Sequence, residues 1–395
     1  MPVLALLGGT PVRSRPFVRW PVFDDRERRA LDEVLESGVW GGYHPKIKQF
    51  EEAFASFHGA RYGVSTANGT VSLEAALLAA GVGSGDEVIV PPITFIATAA
   101  AVLRVGAIPV FADIGPDYNL DPGRVREAIT PRTRALIPVH FAGRPADMDA
   151  FGEIAAAHGL TIIEDAAHAH GAAWKNRRVG TFGDLASFSF QQSKNLTAGE
   201  GGIVIGNSRA LMETVRSICN QGRRSGGAWY EHVRLGTNYR LTAWQAAILL
   251  VQFSRLEEQL RRRAESARIL DERFAALDFL QLPPPDERVT CHSEYLYMVR
   301  LLTDRLGGVP RDLFMRALAA EGIPGVGGYP YPLYCNRVFS GLNHRRGDCP
   351  EAERSCRESF WISHEILLAQ PDDLADFAKA VAKVAEHAAE LREHA

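Results

Sequence analysis

Two hydrophobic rhythms, one after the other, organise the chain. Asp24 and Glu27 stand at capping-box spacing ahead of an apolar stripe of Leu31, Val34 and Leu35, and Gly38 closes the helix they predict. Ile47, Phe50, Phe54 and Phe57 recur at helical spacing and predict a second helix ending at Gly59. Short apolar runs then take over: EVIV (87–90), IPVF (108–111), ALIPV (135–139), LTIIE (160–164), LASFSF (185–190) and GIVIG (202–206). Ala-rich helical stretches such as ATAAAVLRVG and MDAFGEIAAAHG lie between most of them. Strands apolar on both faces, alternating with helices, predict an α/β fold with a mainly parallel sheet between helices.

The pattern changes after Asn238. The block TAWQAAILLVQFSRLEEQLRRRAESARILDERFAAL predicts one or two long helices, and the prolines at 283–285 separate it from the segments beyond. EYLYMVRLL (294–302) predicts a strand and RDLFMRALAAEG (311–322) a helix, while Leu374, Phe377, Val381 and Val384 mark the face of a terminal helix. The expected division is a large domain over 1–255 and a smaller C-terminal α+β domain over 256–395.

Composition narrows the partners more than the fold. A net charge of −3 gives no general attraction to nucleic acid or to an anionic membrane, so neither is expected and any anion must be held locally. No apolar run approaches a bilayer span, and the opening residues lack the charged flank and length of a secretory signal. Cys219, Cys291, Cys335, Cys349 and Cys356 include no C-x-x-C pair. The expected setting is therefore a reducing cytoplasm, with no disulfide framework and no metal site. Lysine is scarce, with six residues in all, so a lysine inside an apolar segment calls for a reason.

Lys194 is such a lysine. In LASFSFQQSKNLTAGEGG it follows one buried run and precedes a glycine-rich turn, and in LTIIEDAAHAHG Asp165 follows another. Ligands of α/β sheets gather at the carboxyl ends of strands. Pyridoxal-phosphate chemistry needs this pair: an amine to bind the cofactor covalently, and a carboxylate to keep the pyridine nitrogen protonated. Taken singly, the lysine would read as a solvated surface residue and the aspartate as a helix cap. A phosphate cradle is offered by VSTANGTVSLEAALLAAG, where Gly69 and Thr70 open a helix whose first N–H groups are free, and Ser189, five residues before Lys194, adds a hydroxyl. Nucleotide folds fare worse. There is no P-loop, and GVGSGDEVIV lacks dinucleotide spacing and precedes its strand.

GDEVIVPPITFIATAAAVLRVGAIPVFADI, PVHFAGRPADMD, IIEDAAHAHGA, SFSFQQSKNLTAGEGG and GTNYRLTAWQAAI together resemble the DegT/StrS family of sugar aminotransferases, enzymes of the type I pyridoxal-phosphate fold. The likeness runs from about residue 15 to 250 and continues more weakly to the end. Carried onto the matching positions, it implies that Lys194 bears the cofactor and Asp165 pairs with the ring nitrogen. It implies that Phe95 stacks on the ring, that His168 contacts the ring or its hydroxyl, and that Gly69, Thr70 and Ser189 hold the phosphate. Asn238, by the same resemblance, reaches the phosphate of a neighbouring subunit, making a homodimer with shared active sites.

Two departures bear on the substrate. Nucleotide-sugar members often carry histidines where this chain has Gln191 and Tyr334. These choices resemble the branch that aminates keto-cyclitols or free keto-sugars in aminocyclitol antibiotic and aminosugar biosynthesis. The expected reaction moves an amino group from glutamate or glutamine to such a ketone, with Lys194 carrying the proton as base and then acid. Gln191, Arg240, Tyr331 and Tyr334 are the expected contacts for donor carboxylate or acceptor hydroxyls. Nucleotide-linked keto-sugars and the chemistry of aminohydroxybenzoate synthases are the alternatives. A non-catalytic cofactor-binding regulator or a dehydratase of the same fold fits less well, because Lys194 is intact and no DNA-binding appendage is evident.

Overall fold

The computed structural model describes residues 3–393. Helix α1 (Asp25–Ser37) begins with the capping box: the Asp24 carboxylate accepts from the Arg26 N–H at 2.8 Å, and Glu27 accepts from the Asp24 N–H at 2.9 Å. Its buried stripe is Glu27, Ala30 and Val34, facing Ala243 and Ala247. Leu35, expected on that stripe, is 56% exposed, since it lies one residue (about 100° of helix) beyond Val34. Helix α2 (Pro45–His58) buries Ile47, Phe50 and Phe54 and ends at Gly59 as expected.

The main sheet has eight strands. In chain order the first seven are β1 (Tyr62–Thr66), β2 (Glu87–Val90), β3 (Ile108–Phe111), β4 (Thr133–Leu136), β5 (Thr161–Asp165), β6 (Leu185–Ser189) and β7 (Gly202–Gly206). They lie in the order β1-β7-β6-β5-β4-β2-β3, and Arg345–Arg346 completes the far edge. All neighbours pair in parallel except β7, which runs antiparallel to both β1 and β6. Period-two packing is plain: Val88 and Val90 join one core while Ile89 faces another, and Val204 opposes Ile203 and Ile205. Helices α3 (Gly69–Ala79), α4 (Ala97–Arg104) and α6 (Arg209–Cys219) contribute to the first of these cores. On the other face lie α2, α5 (Met148–His158) and α7 (Ala243–Phe253). β1 has no counterpart among the strands expected from the sequence, and Asp165 proves to be the last residue of its strand.

The long helical block breaks at Ser254–Arg255 into α7 and α8 (Leu256–Phe274). Beyond it, β8 (Leu280–Gln281), β9 (Leu296–Leu301), β10 (Val326–Gly327) and β11 (Ser359–Ser363) form an antiparallel sheet in the order β8-β9-β11-β10. With α9 (Arg311–Ala320) and α10 (Pro371–Glu386) it builds a second core around Val299, Phe314, Phe360 and Phe377. Leu4, Leu6 and Val12 pack into this core too, and Glu321 accepts from the Ala5 and Val12 N–H groups at 2.8 and 2.9 Å. Conversely Tyr295, Leu333 and Tyr334 join the core of the main sheet. No helix among the described residues is long and apolar enough to cross a membrane.

Candidate active site

The parallel strands β5 and β6 end side by side, with Asp165 registered against Ser187. Asp165 is buried; its Oδ2 accepts from the Thr98 hydroxyl at 2.7 Å and its Oδ1 from the Ala167 N–H at 3.2 Å. Burial pushes its carboxyl upward, while Thr98, Ala167 and the nearby Lys194 ammonium pull it back. A buried carboxylate held by two neutral donors favours a further positive partner. Behind it, Glu164 accepts from the Gly180, Phe182 and Gly183 N–H groups and from His140 Nε2 at 2.7 to 3.0 Å, a network that fixes the strand.

After Ser189 the chain leaves β6 in a loop tied across itself: the Phe190 N–H donates to Gly201 O at 2.8 Å and the Ala198 N–H to Phe190 O at 3.1 Å. Lys194 sits in this loop, 8% exposed, with Nζ 4.5 Å from the centroid of the Tyr295 ring. Gln191 folds its amide oxygen onto the Ser193 N–H and hydroxyl, both at 2.8 Å.

The start of α3 lies against the end of β6. Asn68 caps the helix by accepting from the Val71 N–H at 3.0 Å, and the Ser72 and Ser187 hydroxyls are bonded to each other. A methyl on Gly69 would stand 2.7 Å from Ser189 Cβ, so only glycine allows this approach. The Gly69 and Thr70 amides belong to the first turn, where intrahelical partners are missing and an anion is favoured.

His168 lies buried, stacked on Tyr295 with centroids 4.3 Å apart, and its Nδ1 has no hydrogen-bond partner among the described residues. Burial, then the Lys194 charge, hold it well below its usual range and keep it neutral. Neighbouring His170 bonds Ser189 O through Nε2 at 2.8 Å and is held near 3 by burial. Phe95, 58% exposed at the entry to α4, is free to cover a flat ligand. The site therefore combines a buried acid, a lysine, an unsatisfied imidazole nitrogen and a helix N-terminus. That set suits a flat, anionic cofactor with a protonated ring nitrogen.

The remaining expected residues are placed apart from this cluster. Asn238 is exposed, and Arg240 donates to Asn220 Oδ1 at 2.9 Å. Arg240 lines a cavity of about 250 Å³ with Tyr43, Arg216 and Arg223, and neither it nor Asn238 bonds Lys194 or Asp165 within one chain. Tyr334 is buried against Phe111, its hydroxyl on Glu353 at 3.1 Å, and Tyr331 is exposed. Three residues of the site are not among those expected from the sequence. Thr98 lies in the segment quoted for Phe95 and is spaced one helical turn from Thr94 (hydroxyls 3.1 Å apart), a signal that the sequence does contain. Tyr295 and His364 come from the C-terminal part, and nothing in their local sequence points to Lys194.

Comparison with known proteins identifies the family. The model of the DegT/DnrJ/EryC1/StrS aminotransferase family matches residues 21–381. A Streptoalloteichus tenebrarius protein with the provisional name L-glutamine:3-amino-2,3-dideoxy-scyllo-inosose aminotransferase is 40% identical over 98% of this chain and 99% of its own. The L-glutamine:2-deoxy-scyllo-inosose aminotransferase of the same organism is 38% identical over 99% and 100%. The crystal structure of 3-amino-5-hydroxybenzoic acid synthase superposes with a TM-score of 0.89 at 36% identity, covering 95% of this chain and all of that one. The chain belongs to the DegT/DnrJ/EryC1/StrS family of aminotransferases, enzymes dependent on pyridoxal phosphate.

Proposed function

We propose that this aminotransferase takes an amino group from glutamine or glutamate and delivers it to the ketone of a keto-cyclitol or free keto-sugar, in aminocyclitol or aminosugar natural-product biosynthesis. The observation that carries the acceptor class is the near-full-length likeness to the two scyllo-inosose aminotransferases. When bound, pyridoxal phosphate supplies an electron sink for the charge left as a proton departs the amino-bearing carbon. Lys194 would hold the cofactor through Nζ and, once freed, would carry that proton from the donor's carbon to the cofactor, as base and then acid. Asp165, buried and fixed by Thr98, holds the ring nitrogen protonated. His168 offers its free Nδ1 to the ring hydroxyl, and Phe95 covers the open ring face. Gly69 and Thr70, with the Ser189 hydroxyl, hold the phosphate.

The working unit we propose is a homodimer with shared sites. The 220–238 hairpin, closed by the Asn220–Asn238 bridge, exposes Trp229, Tyr230 and Leu235 (the last 97% exposed), an apolar surface suited to a second copy. Asn238 and Arg240 then serve the neighbour's phosphate and the donor carboxylate. Mixed chains of Lys194→Ala and Asn238→Ala should recover partial activity, because one of the two sites in a heterodimer escapes both defects. No recovery after re-dimerisation would contradict sharing.

Arg223 and Arg224 favour a nucleotide diphosphate, and the likeness to the aminohydroxybenzoate synthase favours an aromatic precursor. Gln191 and the exposed Tyr331 supply neutral donors and acceptors for a polyol ring. With glutamine as donor, kcat/KM for a keto-inositol should exceed that for a nucleotide keto-sugar. A preference of more than about tenfold for the nucleotide sugar would overturn the ranking.

A further inference from the structure

Within the chain, Lys194 Nζ makes no hydrogen bond or ion pair with a described residue, and the group it faces is the ring of Tyr295, 4.5 Å to the centroid. That ring is held on several sides. It stacks with His168 at 4.3 Å and 29°, and His364 lies 5.9 Å away at 27°. The Tyr295 N–H donates to Ala142 O at 3.0 Å, within a turn where a methyl on Gly143 would collide with Ser293 Oγ. The Tyr295 hydroxyl lies 3.0 Å from Ser193 Oγ. Since Ser193 gives its only hydroxyl proton to Gln191, Tyr295 is the donor in that pair. His364 secures the same residue from the other end: Nε2 donates to Ser193 O at 2.9 Å, and Nδ1 accepts from the fully buried Arg263 at 3.0 Å.

We propose that Tyr295 is a positioning residue for Lys194, its ring face holding the amine and its hydroxyl, through Ser193, fixing the loop that carries it. The inference rests on the reading of Lys194 as the working lysine. An aromatic face attracts an ammonium yet accepts no proton, so it holds the lysine while it carries the proton, without competing as a base. A carboxylate there would bind the cation too firmly and compete with Asp165. Because Tyr295 and His364 both flank strands of the second sheet, docking of that sheet against the first sets the place of the reacting amine.

The test is the acylation rate of Lys194 in the cofactor-free full chain, resolved by peptide mass spectrometry, as the ratio of the rate at pH 7.5 to that at pH 10.5. The high-pH rate corrects for access. Tyr295→Phe keeps the ring and should leave the ratio within about twofold of wild type. Tyr295→Leu removes the ring face, destabilises the ammonium and should raise the ratio roughly two- to thirtyfold. An unchanged ratio in Tyr295→Leu would overturn the proposal. Should the leucine chain fail to fold, phenylalanine at 295 carrying successive fluorines weakens the face at nearly constant size. The ratio should climb with each fluorine, and a flat series would equally overturn it. This readout does not depend on cofactor, so it is distinguishable from failure of the Lys194 assignment, which shows instead as cofactor trapped on another lysine.

Discussion

The two walls around Lys194 were built by different rules. One is the carboxyl edge of the parallel sheet, where Asp165, Ser189 and the start of α3 meet within a span of strand–helix units. The other brings Tyr295 and His364 from about a hundred and more residues further along the chain, to stack near His168 and grip the Ser193 backbone. The first wall supplies charge and anion-binding groups; the second supplies aromatic faces and hydrogen bonds that restrain the lysine loop. The difference separates residues that perform the chemistry from residues that place it.

The sharpest way to break this comparison is on the sheet side. Asp165→Asn should still bind cofactor but lose turnover by about a hundredfold or more, because an amide does not stabilise a protonated ring nitrogen. Retention of more than about a tenth of wild-type turnover would reduce Asp165 to a structural acceptor for Thr98. Thr98→Val, which removes only one of the carboxylate's donors, should cost about tenfold, and Thr98→Ser should restore it.

A smaller and more general effect comes from acid. His58 and His170 are buried and held near 3, below an ordinary value of 6.5. The unfolded chain therefore takes up these protons first. Stability is fully present above about pH 6.5 and falls as pH drops toward 3, at up to about 1.4 kcal/mol per pH unit for each histidine. Urea midpoints at pH 7.5 and 5.5 check this, in a window above the titration of ordinary carboxylates. Equal midpoints would contradict neutral burial of the pair under β6.

Legibility in the sequence follows the same division. The strands EVIV, IPVF and GIVIG are found at the residues expected from their apolar runs, because burial on both faces leaves a continuous signal. ALIPV is displaced to Thr133–Leu136, since Pro138 has no N–H to give a ladder. Asp165 and Lys194 are legible because each follows such a run. Tyr295 reads only as the start of a strand, and its contact with Lys194 depends on how the second sheet docks, which local periodicity does not encode. Tyr334 shows the converse: its motif position suggests a substrate contact, while its hydroxyl is bound to Glu353 and its ring packs on Phe111.

Borohydride reduction of the purified protein loaded with pyridoxal phosphate, followed by peptide mapping, tests the central assignment most directly. Of six lysines, Lys194 alone should carry the reduced cofactor, and Lys194→Ala should carry none. Label on Lys175, or on any other lysine with Lys194 unmodified, would contradict the account.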